Sequence, residues 1–446
     1  MSAEETADSF GMYLERCAEK ARRCFAGHSD GEKVMCVKRK MFEPGWIVVL
    51  AGLGVNLALG VLYAWGVISA ALIDQLGWSA TATQIPYMVA CAVFALSMVP
   101  GGRLQDKYGP RPVIMAAAVF AGVGFLLSGV VMTPVGLTAF FGVVFGIGMG
   151  MGYAAPTPAA VKWFSRTKRG LISGIVVSGF GLAPVYIAPL TSWLLDHFTL
   201  AHTFMIMGAG FFVLIMTLAM FIRNPPAGHI AEPLAVPDAK NVPAAGVEIR
   251  KEAQYDWSET FETTAFKRLW IMFCFGTFAG LLIIGQLSKI GIEQAGADNV
   301  YIKVGIYAIF NCIGRIACGI LSDRFGRMRT LFTLFLLQVV TYVFFAQLET
   351  TLTLGTGVAI VGFTFGGMLS VFPAVTADYF GMKNFGVNYG MLLTAWGVGG
   401  VFGPLVGGIV RDMTGTYLIS YIISGVLSAT GAYMTFATKA PVEKEG

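Results

Sequence analysis

Gly102-Arg-Leu-Gln-Asp106-Lys-Tyr-Gly109-Pro-Arg111 returns later in the chain as Gly319-Ile-Leu-Ser-Asp323-Arg-Phe-Gly326-Arg327, and what surrounds the two copies decides the fold. Each reads G-x3-D-x2-G with a cation following, and each comes directly after an apolar run. The glycines permit a tight turn and close approach of helices. Each Asp can meet a helix N-terminus or a neighbouring Arg, so Asp106, Arg111, Asp323 and Arg327 read as the charged members of two breakable latches.

Working outward, the first apolar run occupies 47–73, more than the roughly 20 residues that cross a bilayer. Similar runs follow near 84–101, 112–132, 135–161, 171–195, 203–222, 269–288, 301–321, 330–347, 352–377, 387–410 and 415–437. These predict an all-α membrane protein of about twelve transmembrane helices, because a barrel would instead alternate over runs of about ten residues. The composition agrees, with 446 residues of which 56% are hydrophobic and 13% charged. The basic residues crowd into alternate loops: Arg103, Lys107 and Arg111; Arg166, Lys168 and Arg169; Arg324, Arg327 and Arg329. Lys289, Lys303 and Arg411 are the exceptions on the other side, so both termini are expected in the cytoplasm of a multi-pass plasma-membrane protein. The net charge of +5 follows from this loop bias and does not point to nucleic acid. Seven cysteines without paired spacing and four histidines confined to the tail and loops give no expectation of a metal, a cofactor or a catalytic constellation.

The longest polar gap is proline-rich, carries both charges and divides the spans six and six. The expected layout is a cytoplasmic extension over 1–45, a six-helix bundle over 46–222, a linker over 223–266, a second bundle over 267–438 and a tail over 439–446. No apolar segment precedes Ile47, so no cleaved signal peptide is expected. The linker's end, Tyr255 to Phe266, reads as a short amphipathic helix on the membrane surface. One constant shift superposes Gly60 on Gly276, Gly146 on Gly362, Gly170 on Gly386, Gly174 on Gly390, Gly181 on Gly397 and Asp196 on Asp412, which argues for duplication.

Inside the second half, Arg315 lies eight positions before Asp323, about 12 Å along a helix and close to the middle of the hydrocarbon layer. Such a charge costs roughly 3 kcal/mol on insertion scales and marks a substrate path or a paired site. No carboxylate shares its helix core, which favours an external anion over an internal partner.

The duplicated loop motif in two six-span halves resembles the signature of the major facilitator superfamily. The resemblance implies two six-helix bundles rocking about a central site to give alternating access. Within it, Trp163-Phe-Ser-Arg166-Thr-Lys-Arg169-Gly170 through Ser178-Gly179 is similar to the fifth-helix motif of monocarboxylate transporters, with a looser likeness at Glu43-Pro-Gly-Trp46. Tyr379-Phe-Gly381-Met-Lys383-Asn-Phe-Gly386-Val-Asn388-Tyr389-Gly390 resembles the stretch before helix eleven of oxalate/formate antiporters. The resemblance implies that Arg315 is the carboxylate anchor, and a guanidinium suits a carboxylate bidentately. Two departures matter. Trp396 stands where the antiporters carry a second cation, so one carboxylate is expected. Asn311 stands one turn before Arg315, where animal monocarboxylate transporters carry an Asp, so proton symport and anion exchange both remain open. Tyr63 and Tyr153 are candidate hydroxyl donors, and Phe365 and Trp396 candidate cavity walls, with helix packing as the alternative for each. The expected function is secondary transport of a small organic monoanion of the lactate, pyruvate or formate type, with a proton or counter-anion. The alternatives are an oxalate/formate-type dicarboxylate antiporter and, from another class, a non-transporting carboxylate sensor.

Overall fold

A computed structural model describes residues 44–226, 229, 254–296 and 300–441. The expected extension up to residue 43, linker residues 230–253 and tail residues 442–446 lie outside the described residues. Among those described, 12 helices are long and apolar enough to cross a membrane. In the first half they are α1 Pro44–Leu76, α2 Ala82–Tyr108, α3 Pro110–Val130, α4 Pro134–Val161, α5 Arg166–His197 and α6 Leu200–Ala219. In the second they are α7 Thr264–Leu287, α8 Val304–Phe325, α9 Arg327–Phe345, α10 Thr351–Phe380, α11 Phe385–Thr414 and α12 Leu418–Ala437.

Several helices outrun the apolar stretches that predicted them, because an apolar run ends at the membrane surface whereas a helix can continue into water. Asp106 and Asp323 therefore sit on the last turns of α2 and α8 and not in loops. The chain then reverses at Gly109 (φ +84°) and Gly326 (φ +95°), a left-handed conformation that favours glycine, and α3 and α9 begin at once.

Three spans are interrupted among the described residues, and in α4 a π-helical stretch occupies Thr138–Phe145 and a break falls at Ala155, before Pro156. α1 passes through a 3-10 turn at Gly60–Ala64, and α5 breaks at Ala183, where Pro184 starts a new helical segment. The breaks in α1 and α5 touch, since a Cβ on Gly60 would overlap that of Ala183. The linker ends in a short helix, Trp257–Glu262, opened by a capping box of Asp256 and Glu259. Thr263 breaks it from α7, so it is shorter than the expected Tyr255 to Phe266, and Trp257 and Phe261 remain exposed. The Tyr255 N–H donates to the Phe380 carbonyl at 3.0 Å, and the amides of Asn384 and Asn388 donate to the Tyr255 carbonyl at 3.2 and 3.3 Å.

The halves meet along two main seams, α2 against α11 and α5 against α8. Glycine makes both seams close. A Cβ on Gly102 would overlap the Gly386 carbonyl, one on Gly319 the Gly170 carbonyl, and one on Gly174 the Arg315 carbonyl. These contacts lie toward the end carrying the basic loops. Toward the other end the helices part around a space of about 240 Å³ lined by Gly181 and Pro184 of α5, Ile284 of α7, and Val304, Tyr307, Ala308 and Asn311 on or near the outer end of α8.

Candidate functional site

Arg315 is fully buried on α8, at the inner edge of the α5–α8 seam. Its Nε donates to Asn311 Oδ1 at 2.7 Å, and its Nη1 donates across the seam to the Val177 carbonyl of α5. Among the described residues Nη2 makes no hydrogen bond, although the Tyr153 hydroxyl lies near enough to interact with the guanidinium. Gly181 makes room for this arrangement, since a Cβ there would stand 2.7 Å from Asn311 Oδ1 and 3.1 Å from Arg315 Nε. The guanidinium is thus oriented by a neutral amide and a backbone dipole, and its charge is not neutralised by either. A buried donor left unmade costs about 1–3 kcal/mol, and more when charged, so an anion reaching Nη2 removes that cost.

Arg315 lines a cavity of about 210 Å³ at the junction of the halves. Phe94 of α2, Tyr153 of α4 and Phe180 of α5 form one side, and Leu369 of α10 with Leu393 and Trp396 of α11 the other. The rings interlock, Phe94 meeting Trp396 edge-on at 5.1 Å and Tyr153 meeting Phe180 edge-on at 5.3 Å. This apolar surround lowers the local dielectric and strengthens any pairing with the guanidinium.

Of the residues singled out in the sequence, Arg315, Tyr153 and Trp396 come together on this cavity, and Asn311 joins them through Arg315. Phe365 does not. It is fully buried in the second half, its ring over Gly280 and 6.1 Å from that of Tyr307, because the missing side chain of Gly280 leaves a hollow it fills. Tyr63 falls in the 3-10 turn of α1, and its side chain lies outside the described residues. Sequence reasoning passed over Phe94 and Phe180, which had no mark beyond being two among 34 phenylalanines. It also passed over Tyr389, fully buried on α11 beside Tyr153.

The latch residues divide in the same way. Asp106 accepts from the N–H groups of Gly386 and Val387 at 3.1 and 2.8 Å, and Asp323 from those of Gly170 and Leu171 at 2.9 and 2.8 Å. Each carboxylate caps a helix start in the opposite half, and the two caps are equivalent under the duplication. Arg327 binds Asp323 at 2.5 Å and Asp378 at 2.9 Å, while Arg169 reaches Asp378 at 3.0 Å and Arg166 at 3.5 Å. Arg111, by contrast, stays within its own half and donates to the Met220 carbonyl at the end of α6. The shift that superposes Gly170 on Gly386 explains this, because it also superposes Lys162 on Asp378. A cation occupies the place of the acid that holds Arg327. It turns to Asp106, at 3.9 Å, and offers Arg111 no acid. Burial pulls the Lys162 ammonium below its ordinary pKa, and Asp106 opposes that pull. The sequence signal for Asp378 lay one residue before the stretch beginning at Tyr379. Among the described residues no cluster of His, Cys, Asp and Glu could hold a metal ion.

A family model described as Major Facilitator Superfamily matches residues 47–370 and 300–446. Over 406 residues the chain is 29% identical to the oxalate:formate antiporter of Oxalobacter formigenes, covering 89% of this chain and 93% of that protein. Over 417 residues it is 25% identical to monocarboxylate transporter 13 of Bos taurus, covering 90% and 92%. Among solved structures, a double-Trp mutant of XylE superposes with a TM-score of 0.71 at 13% identity, covering 90% of this chain and 97% of that one, a likeness of fold alone.

Proposed function

The chain belongs to the Major Facilitator Superfamily, and from that premise we propose that this membrane transporter carries small monocarboxylates by alternating access between its two halves. The observation that carries the proposal is the free Nη2 of Arg315, a buried cationic donor in an aromatic cavity between the halves. One guanidinium suits one carboxylate. A dianion would bring a second charge for which the lining residues offer no second cation. The names of two relatives, an oxalate:formate antiporter and a monocarboxylate transporter, support a carboxylate cargo. Among the described residues no carboxylate or imidazole lines the cavity to hold a proton, which favours exchange of one monoanion for another over symport through a protein acid. The basic loops face the cytoplasm of a plasma-membrane protein in this reading, so the arrangement seen here is closed to the cytoplasm.

Uptake by purified protein in liposomes tests the proposal. Labelled formate, acetate, lactate and pyruvate are offered to vesicles preloaded with the same acid, and uptake is expected for at least one. Arg315→Gln leaves no charge to balance the buried anion and is expected to lower uptake at least about a hundredfold. Unchanged KM and rate in Arg315→Gln would overturn the assignment. Acidification of the lumen during uptake without counter-substrate would replace exchange with proton symport.

A further inference from the structure

Among the described residues Phe94 is the cavity ring with contacts to the three other lining rings. It meets Trp396 edge-on at 5.1 Å and Tyr153 edge-on at 5.5 Å, and it stacks with Phe180 at 6.0 Å. Its backbone is gripped from both sides. On α4, Gly150 packs so near that a Cβ there would lie 2.5 Å from the Phe94 carbonyl oxygen. On α11, a Cβ on Gly397 would overlap that of Ala95, the next residue along α2. A ring on a clamped backbone with rings on three sides has no second rotamer to adopt without moving its neighbours.

We infer that Phe94 is the length gauge of the cavity, the rigid wall that limits how long an apolar tail the site accepts on an anion held by Arg315. The inference rests on the carboxylate reading of the site and adds to it the residue that selects among carboxylates. The rings leave little free space beside Arg315, so each added carbon on an anion's tail must find room against a cavity wall. Replacing the phenyl ring by a smaller side chain adds room that opens onto this space. A discrimination of one methylene in an apolar pocket is worth roughly 10–200-fold, so several carbons of new room change selectivity measurably.

The test compares uptake of acetate, butanoate and phenylacetate into preloaded liposomes by wild type, Phe94→Ala, Phe94→Leu and Phe94→Trp, each checked by its thermal melt. Phe94→Leu retains more packing than Phe94→Ala and keeps the question answerable if the smaller side chain prevents folding. Wild type is expected to favour the short acids. Phe94→Ala and Phe94→Leu are expected to raise the phenylacetate-to-acetate ratio at least about tenfold, and Phe94→Trp to lower the butanoate-to-acetate ratio by a similar factor. Arg315→Gln in the same backgrounds is expected to remove uptake of every acid. Unchanged ratios in folded Phe94 variants, with Arg315-dependent acetate uptake intact, would overturn the gauge and leave the carboxylate reading standing. Absence of Arg315-dependent uptake and of thermal-shift binding for all three acids in wild type would overturn both.

Discussion

Replacing Asp323 by Asn tests whether the carboxylate caps hold the basic end of the molecule closed. Asp323 accepts two backbone N–H bonds from α5, at 2.9 and 2.8 Å, and an ion pair from Arg327 at 2.5 Å. Its side chain is 7% exposed and that of Arg327 is 9%, so solvent screens the group only weakly. Asn has one acceptor oxygen and no charge. It retains one N–H partner, loses the other and no longer favours the helix start electrostatically. A hydrogen bond to a charged group contributes about 1.5–3 kcal/mol net, and an anion at a helix N-terminus about 0.3–1. Arg327 keeps Asp378, so little further loss comes from that side. The closed arrangement should weaken by about 2–3 kcal/mol, or roughly 30–150-fold in population. Spin labels at the exposed positions Tyr108 and Phe325, one in each half at the basic end, report the opening as a distance distribution. Asp323→Asn is expected to enlarge the longer-distance population relative to wild type. A distribution identical to wild type, with and without substrate, would refute the reasoning that these caps act as a latch.

Gly174→Ala introduces a methyl that overlaps the Arg315 carbonyl, so α5 and α8 must separate at an overpacking cost of about 1–3 kcal/mol. The same labels should report opening and liposome uptake should fall, whereas Gly210→Ala, which meets no atom within 4 Å, should change neither. Lys162→Asp places an acid where the duplicate half has Asp378, and Arg111 is expected to leave the Met220 carbonyl for it. Thermal melts of K162D, Arg111→Ala and the double variant should then give a coupling energy of about 1–3 kcal/mol, and a value near zero would show that Arg111 had not moved.

Much of the fold was legible because a bilayer imposes one rule on every span, and apolar runs of sufficient length report it directly. Arg315 was legible for a related reason, since a charge among apolar neighbours needs a cause. Phe94 and Phe180 were not, because a phenylalanine facing a cavity and one facing a neighbouring helix look alike in a sequence where both surroundings are apolar. Phe365 shows the same ambiguity in reverse, since only the hollow at Gly280 decides where its ring points. Arg111 failed to join a latch for a longer-range reason. Its partner depends on Lys162, which lies beyond the motif containing Arg111 and approaches Asp106 only after α4 has returned across the membrane. Periodicity and local motifs carry no information about such a meeting.

The duplicated caps make the two seams alike in geometry, and the exchange of Lys162 for Asp378 makes them unlike in strength. At Asp378 the arginines come from both halves, Arg166 and Arg169 from α5 and Arg327 from α9, so charge pairs cross the α5–α8 corner. At Asp106 the cation is Lys162, which belongs to the same half as its partner, so that pair adds nothing across the α2–α11 seam. There the two backbone N–H bonds from Gly386 and Val387 act without an inter-half ion pair among the described residues. Ion pairs this shielded are costly to break one at a time, because each separation strands a partly buried charge. On ion pairs alone, the α2–α11 seam is expected to yield at lower cost than the α5–α8 corner. Trp396 lies on the first of these and Arg315 on the second, so a first parting at α2–α11 is expected to loosen the aromatic wall of the cavity while the guanidinium keeps its hold on Asn311 and Val177.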